Sequence, residues 1–246
     1  MAFDHSSNPA FSEKFFEHVT HSEEVMTVNG AINKSFLLTF IAFCSSTFTW
    51  KMFMEANQEA SSILLGSIIL TFILSLVIIF FKKTAPYLAP VYAVAEGFIL
   101  GIVSAMYALA FRGSGIVLQA LGITFGSLFL MLFLYKTNMI KVTEKFKSGL
   151  AIATLSIAIG YLFSFVAGLF GYQVSFASDG IVGIIASIVI SIIAVLNFLL
   201  DFDTIDRGAQ NQLPKYMEWY CAFGLLLTLV WVYLEILKLL GKMRKR

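Results

Sequence analysis

The segment Asn197-Phe198-Leu199-Leu200-Asp201-Phe202-Asp203-Thr204-Ile205-Asp206 ends a long apolar run directly on acidic residues. Ionisable side chains at the edge of hydrocarbon are expensive to place, so they point to ion or proton chemistry before they point to packing. Upstream of Asp201, Gly183, Ser187, Ser191, Ala194 and Asn197 recur at three- and four-residue intervals. That spacing puts them on one helix face, which grows more polar towards Asp201. Two readings stand: a packing face whose last residue reaches headgroups and water, or the lining of a hydrated route that ends at a carboxylate. Asp203 and Asp206 lie beyond the apolar run and read as solvated.

Three further acids sit in or beside apolar sequence. Glu96 lies in the middle of a long apolar run, just before Gly97. A neutral glutamic acid hydrogen-bonded to a neighbouring helix is its structural alternative. Glu235 lies in Trp231-Val232-Tyr233-Leu234-Glu235-Ile236-Leu237, with Lys238 in i,i+3 position as a competing partner. Glu218 opens the last apolar run, where a negative charge suits a helix N-terminus.

Other chemistries lack their residues. The chain has no phosphate-binding glycine loop, no Cys-x-x-Cys, no His-Glu-x-x-His and no Gly-x-Ser-x-Gly elbow. All three histidines precede residue 22, and His18 and His21 read as a solvated pair. The two cysteines, Cys44 and Cys221, each lie in an apolar run and read as packed thiols. No enzyme, cofactor or metal site is expected. The charges are dispersed among segment ends, which excludes nucleic acid as a partner.

The elements that carry these residues follow from composition. Of 246 residues, 59% are hydrophobic and 13% charged, about half the charge of a soluble domain. About twenty apolar residues cross the hydrocarbon as a helix. Six runs suffice: Ser61–Phe81, Tyr87–Phe111, Ile116–Tyr135, Leu150–Tyr172, Ile181–Leu200 and Trp219–Leu240. A shorter run, Ser35–Trp50, spans with help from Lys34, Lys51 and Trp50. The expected organisation is a polar tail over residues 1–34, an all-α seven-helix membrane domain over 35–241, and a basic tail over 242–246. Phe11, Phe15, Phe16 and Val19 could share one face of a short interfacial helix in the first tail.

Small residues should let helices approach closely in lipid: Gly66, Ser67, Thr71 and Ser75 in the second span, Gly97 and Gly101 in the third, and Ser156, Gly160, Ser164 and Gly168 in the fifth. Turns are expected at Lys82–Pro86 and at Arg112-Gly113-Ser114-Gly115, with the proline opening the third span. Counting Lys and Arg in the loops puts the N-terminus in the cytoplasm. The tail Lys242, Arg244, Lys245, Arg246 runs against that rule, unless the first or last segment fails to cross.

These features resemble the Bax inhibitor family, including its bacterial YccA-like members. The resemblance rests on the seven spans, the Gly- and Ser-lined sixth span ending Leu-Leu-Asp-Phe-Asp-Thr-Ile, and Tyr-Leu-Glu-Ile-Leu in the last span. Met26–Lys34 is similar to the entry segment of a bacterial subgroup of the family. The resemblance implies a last helix wrapped by the other six. It also implies a pH-sensitive calcium leak across the cell membrane, the inner membrane in a bacterium. An acid pair on helices six and seven would serve as the proton-sensitive latch, with lipid around the protein and Ca²⁺ as permeant ion. Asp201 matches the sixth-helix acid. The seventh-helix position falls on Glu235 by one alignment and on Thr228 by another. The YccA-like members also suggest a non-conducting role, restraining another membrane protein such as a protease.

Overall fold

The computed structural model describes residues 24–55, 59–112, 115–171 and 180–245. Seven helices account for nearly all of them: α1 Val28–Met54, α2 Ala60–Phe80, α3 Ala85–Ala110, α4 Ile116–Lys136, α5 Glu144–Leu169, α6 Ile181–Gln210 and α7 Met217–Arg244. Each is long and apolar enough to cross a membrane. The outward faces carry large apolar side chains such as Phe72, Phe129 and Phe165, which suit hydrocarbon rather than water. The expected His18–His21 pair, the interfacial helix around Phe15, the Gly113-Ser114 part of a turn and Tyr172 lie outside the described residues.

The helix starts are set by local chemistry. Thr27 and Thr143 each turn a side-chain oxygen to a backbone N–H three residues on, that of Gly30 and of Phe146. Pro86 stands in the first turn of α3, after a 3-10 turn at Lys82–Thr84. Gly115 precedes α4 with φ +61°, a backbone setting that glycine adopts without a Cβ penalty.

Helix α7 forms the core. It lies against α1, α3, α4 and α6, and α5 reaches it through Tyr161; α2 and α5 stand farther out. One apolar cluster joins Leu38, Tyr92, Phe223 and Leu226, and another joins Ala120, Phe198, Val232 and Leu237. The closest helix approach is α1 on α3. A Cβ at Gly97 would fall on the Ala42 carbonyl and Ser45 hydroxyl; one at Gly101 would fall on the Ser46 carbonyl and Thr49 hydroxyl. These glycines act as the third span's spacing suggested.

Four expectations change. Helix α1 starts at Val28, so it is a full-length crossing rather than a short one, because the residues before Ser35 are held inside the fold. Met26 and Ala31 are buried, Met26 N–H bonds the Leu213 carbonyl, and Lys215 N–H bonds the Glu24 carbonyl. Residues 24–34 are therefore not a solvated lead-in. Cys44 is exposed on α1, whereas Cys221 is buried as expected; both are free thiols. On α5, Ser156 and Gly168 are exposed, so the small-residue stripe is only partly used for packing. Its inward face instead carries Thr154, Gly160, Tyr161 and Ser164. The fourth change concerns Asp203 and Asp206, described with the site.

The basic end of the chain is tied into the bundle. Lys242 Nζ donates to the Gly183 carbonyl and the Ser187 hydroxyl, at 3.1 and 3.0 Å, and Arg244 donates to Gln119 at 2.5 Å. The end of α7 therefore stands beside the starts of α4 and α6. With α1 at 27 residues and α7 at 28, neither terminal helix falls short of a crossing.

Candidate functional site

The polar face of α6 turns towards α5 and α7. Ser187, Ser191 and Ala194 are buried along it, and Asn197 donates to Thr154 of α5 at 3.0 Å and to the Ile193 carbonyl at 2.8 Å. At its end, Asp201 accepts a side-chain hydrogen bond from Thr228 of α7. Its Oδ2 is buried and has no hydrogen-bond partner, as is also true of Ser191 Oγ on the same face and Ser164 Oγ on α5. Buried polar atoms are nearly always satisfied by protein or water, so an unpartnered carboxylate oxygen at Asp201 marks a place with special demands.

Glu235 has a different environment. It is 1% exposed. Its Oε1 accepts from Lys238 at 2.6 Å, Tyr161 at 2.8 Å and Trp231 at 3.2 Å. The Lys238 ammonium also lies 4.5 Å from the centre of the Tyr161 ring. The i,i+3 pairing with Lys238 is present as the spacing suggested. Thr228 and Glu235 are seven residues apart, about 10 Å along a helix axis. The two acids have separate partners, and the structure does not bring them together as a pair. The physical reason is register: the antiparallel crossing of α6 and α7 sets Asp201 against Thr228, and Glu235 falls two turns farther along α7, facing α5.

Glu96 is buried on α3 and hydrogen-bonded to Tyr92 one turn earlier, whose ring meets Phe223 edge-on at 4.9 Å. Its partner is thus in its own helix rather than a neighbouring one. Glu218, 2% exposed, accepts the Thr27 N–H at 2.8 Å and the Thr27 hydroxyl at 3.1 Å, and pairs with Lys34. It is more than a favourable charge on its own helix: it fastens the start of α1 to the start of α7. Lys34 lies over the Trp219 ring as well, 5.5 Å from its centre.

Asp203 and Asp206 are not simply solvated. Asp203, whose side chain is 13% exposed, pairs with Lys147 and with Arg207 at 2.9 Å. Glu144 joins the same group through Arg207 at 2.9 Å and Lys147 at 3.3 Å. Asp206 faces Lys136 at 3.9 Å and hydrogen-bonds Tyr135. The cause is that α6 continues to Gln210, carrying both acids past the start of α5 and the end of α4. Sequence reading missed Tyr161 and Trp231 as partners of Glu235. The only available signal was a hydroxyl and an indole placed within otherwise aliphatic runs. Among the described residues, no group of three or more His, Cys, Asp or Glu could hold a metal ion.

Seven apolar helices, one of them central, with acids buried between them, define a multi-pass helical membrane protein. A family model described as Bax inhibitor 1 like matches residues 8–245, and the chain belongs to the Bax inhibitor family. No curated protein matches it.

Proposed function

We propose that this protein is a passive cation leak, with Ca²⁺ as the permeant ion, controlled by protons through Asp201 in the cell membrane (the inner membrane in a bacterium). The observation that carries the reading is the buried Asp201 carboxylate with one oxygen unpartnered, at the end of the polar face of α6. A charge in a poorly solvated site couples strongly to its surroundings. Protonated, Asp201 is neutral and α6 stays packed on α7 through Thr228. Ionised, it carries a negative charge that Thr228 alone balances, which favours an arrangement admitting water or a cation. Such a bistable contact is what a switch needs. Glu235 is matched by Lys238 and supports the closed packing of α5 on α7, while Glu96 is the third acid in order of interest. Calcium held stably takes six to eight oxygens, so the few acids here suit transient, hydrated passage. No catalysis is involved.

Reconstitution into liposomes loaded with a calcium-sensitive dye tests this. Flux should rise with pH in the native protein, and Asp201→Asn, fixed in the neutral state, should give low flux at every pH. Flux in the native protein that ignores pH would exclude the mechanism.

A second reading draws on α5, where Ser156 and Gly168 are exposed and a Cβ at Gly168 would meet nothing within 4 Å. Small residues open to lipid suit close approach of another transmembrane helix. Under that reading the protein is a non-conducting partner that restrains another membrane protein such as a protease, the role suggested for a YccA-like member. Absence of flux at all pH values, with Gly168→Leu releasing a co-purifying membrane protein, would favour it.

A further inference from the structure

Helices α1 and α4 each pack on the core, but a seam remains between them. It holds a cleft of about 300 Å³, at the lower end of the range for small-molecule pockets. Phe43 and Thr47 of α1 face Phe125 and Leu121 of α4 across it, and Ser104 of α3 and Tyr233 of α7 form its floor. The rim opens outward: Phe43 is 56% exposed and Phe125 37%.

The lining decides what can enter. None of its residues is charged, so an ion would find no counter-charge. Five of its six hydroxyls are already engaged, all but that of Thr39. Ser46 donates to the Phe43 carbonyl at 2.8 Å, Thr47 to Cys44 at 2.7 Å and Thr124 to Ala120 at 2.8 Å. Ser104 and Tyr233 are hydrogen-bonded to each other at 2.6 Å. A polar ligand would have to break these bonds, whereas an apolar one gains contact area at no such cost. The cleft sits within the spans, where the medium outside its mouth is lipid hydrocarbon.

We propose that this cleft is a binding site for one acyl chain, laid between α1 and α4 over the Ser104–Tyr233 pair. The chain belongs either to a membrane phospholipid or to a free fatty acid, and both present the same hydrocarbon to the protein.

The test uses the full chain in phosphatidylcholine nanodiscs with two photoactivatable probes in separate arms. One is a diazirine fatty acid and the other a phosphatidylcholine with a diazirine acyl chain. Peptide mapping should place saturable label at Phe43, Leu121 and Phe125, about tenfold above the more exposed Leu162 and Phe165 of α5; tenfold corresponds to about 1.4 kcal/mol. The arm that labels identifies the source, and label in both supports the shared chemistry. Leu229→Trp should fill the floor and cut the label about tenfold. Thr47→Phe, at the exposed mouth, should do the same without disturbing the core, and Leu162→Phe should change nothing. Label spread over all lipid-facing positions in proportion to exposure, label unchanged in Thr47→Phe, or displacement by a sterol but not by unlabelled fatty acid would each overturn the proposal.

Discussion

Thr228 of α7 donates its hydroxyl to Asp201 of α6, while Glu235, farther along the same helix, is held by Lys238, Tyr161 and Trp231. One acid is thus left with a neutral partner and the other with a cation. Their roles in the bundle differ accordingly.

The Asp201–Thr228 contact gives the first prediction. Thr228→Val keeps the shape of the side chain and removes the one side-chain donor to the carboxylate among the described residues. A buried acceptor left without a partner costs about 1–3 kcal/mol. Thermal unfolding in detergent at neutral pH should fall for Thr228→Val and recover in the double variant with Asp201→Asn if the cost is the uncompensated charge. Equal melting of Thr228→Val and the native protein would show that the bond carries no weight.

The Glu235–Lys238 pair gives the second. Lys238→Met removes the cation and leaves the Glu235 carboxylate buried with two neutral donors. Removing one member of a buried pair costs about 3–5 kcal/mol, and the partial exposure of Lys238 lowers that to about 2 kcal/mol here. Glu235→Gln combined with Lys238→Met should regain most of the loss. A double variant no more stable than Lys238→Met would contradict the pairing.

Close approach at the start of α1 gives the third. A Cβ at Gly30 would fall on the Glu218 carboxylate, whereas at Gly66 on α2 nothing lies within 4 Å. Gly30→Ala should lower the melting temperature, with a cost of about 1–3 kcal/mol expected for overpacking. Gly66→Ala should leave it unchanged or raise it, since alanine is the better helix former. Similar melting of the two variants would argue against the Glu218 clamp.

The ionic group of Glu144, Lys147, Asp203 and Arg207 gives the fourth. It ties the start of α5 to α6, and α5 has few other buried contacts. Asp203→Asn should increase hydrogen exchange over residues 144–150, and molar salt should weaken the native protein's protection there in the same direction. Unaltered exchange in both conditions would show that apolar packing alone holds α5.

Lys215 gives the fifth, a statement about pH. The Glu24 carboxylate, at 2.7 Å, holds the Lys215 ammonium above its ordinary value. A lysine with a raised folded pKa contributes its stability below the unfolded value and loses it as pH rises through the folded one. The contact between residues 24–26 and the α6–α7 connection should therefore stay intact from about pH 5 to 9, well below the ordinary lysine pKa. Any pH response of flux in that range should survive Lys215→Met. Its disappearance would move the sensor away from α6.

The sequence was legible where the physics is local. Six apolar runs of crossing length and a shorter seventh, Pro86 at a helix start and Gly97 and Gly101 as close-approach positions follow from transfer cost and the absence of a side chain. The family resemblance is carried by the same runs and by the acid at the end of the sixth. Lys238 beside Glu235 also followed from helical spacing. The start of α1 was not legible, because Val28–Lys34 is too polar to read as a crossing until Glu218 and Leu213, nearly two hundred residues later, bind it.

By itself the sequence determined that this chain spans a membrane with acids in or beside the apolar runs of its sixth and last helices. Hydrophobicity and periodicity belong to each segment and need no partner. Only the tertiary structure decided which group each acid meets: Thr228 for Asp201, Lys238 and Tyr161 for Glu235, Lys34 and Thr27 for Glu218. Those partners depend on the register and rotation of whole helices against one another. That alignment is set by packing summed over the length of the bundle, and no single stretch of residues contains it.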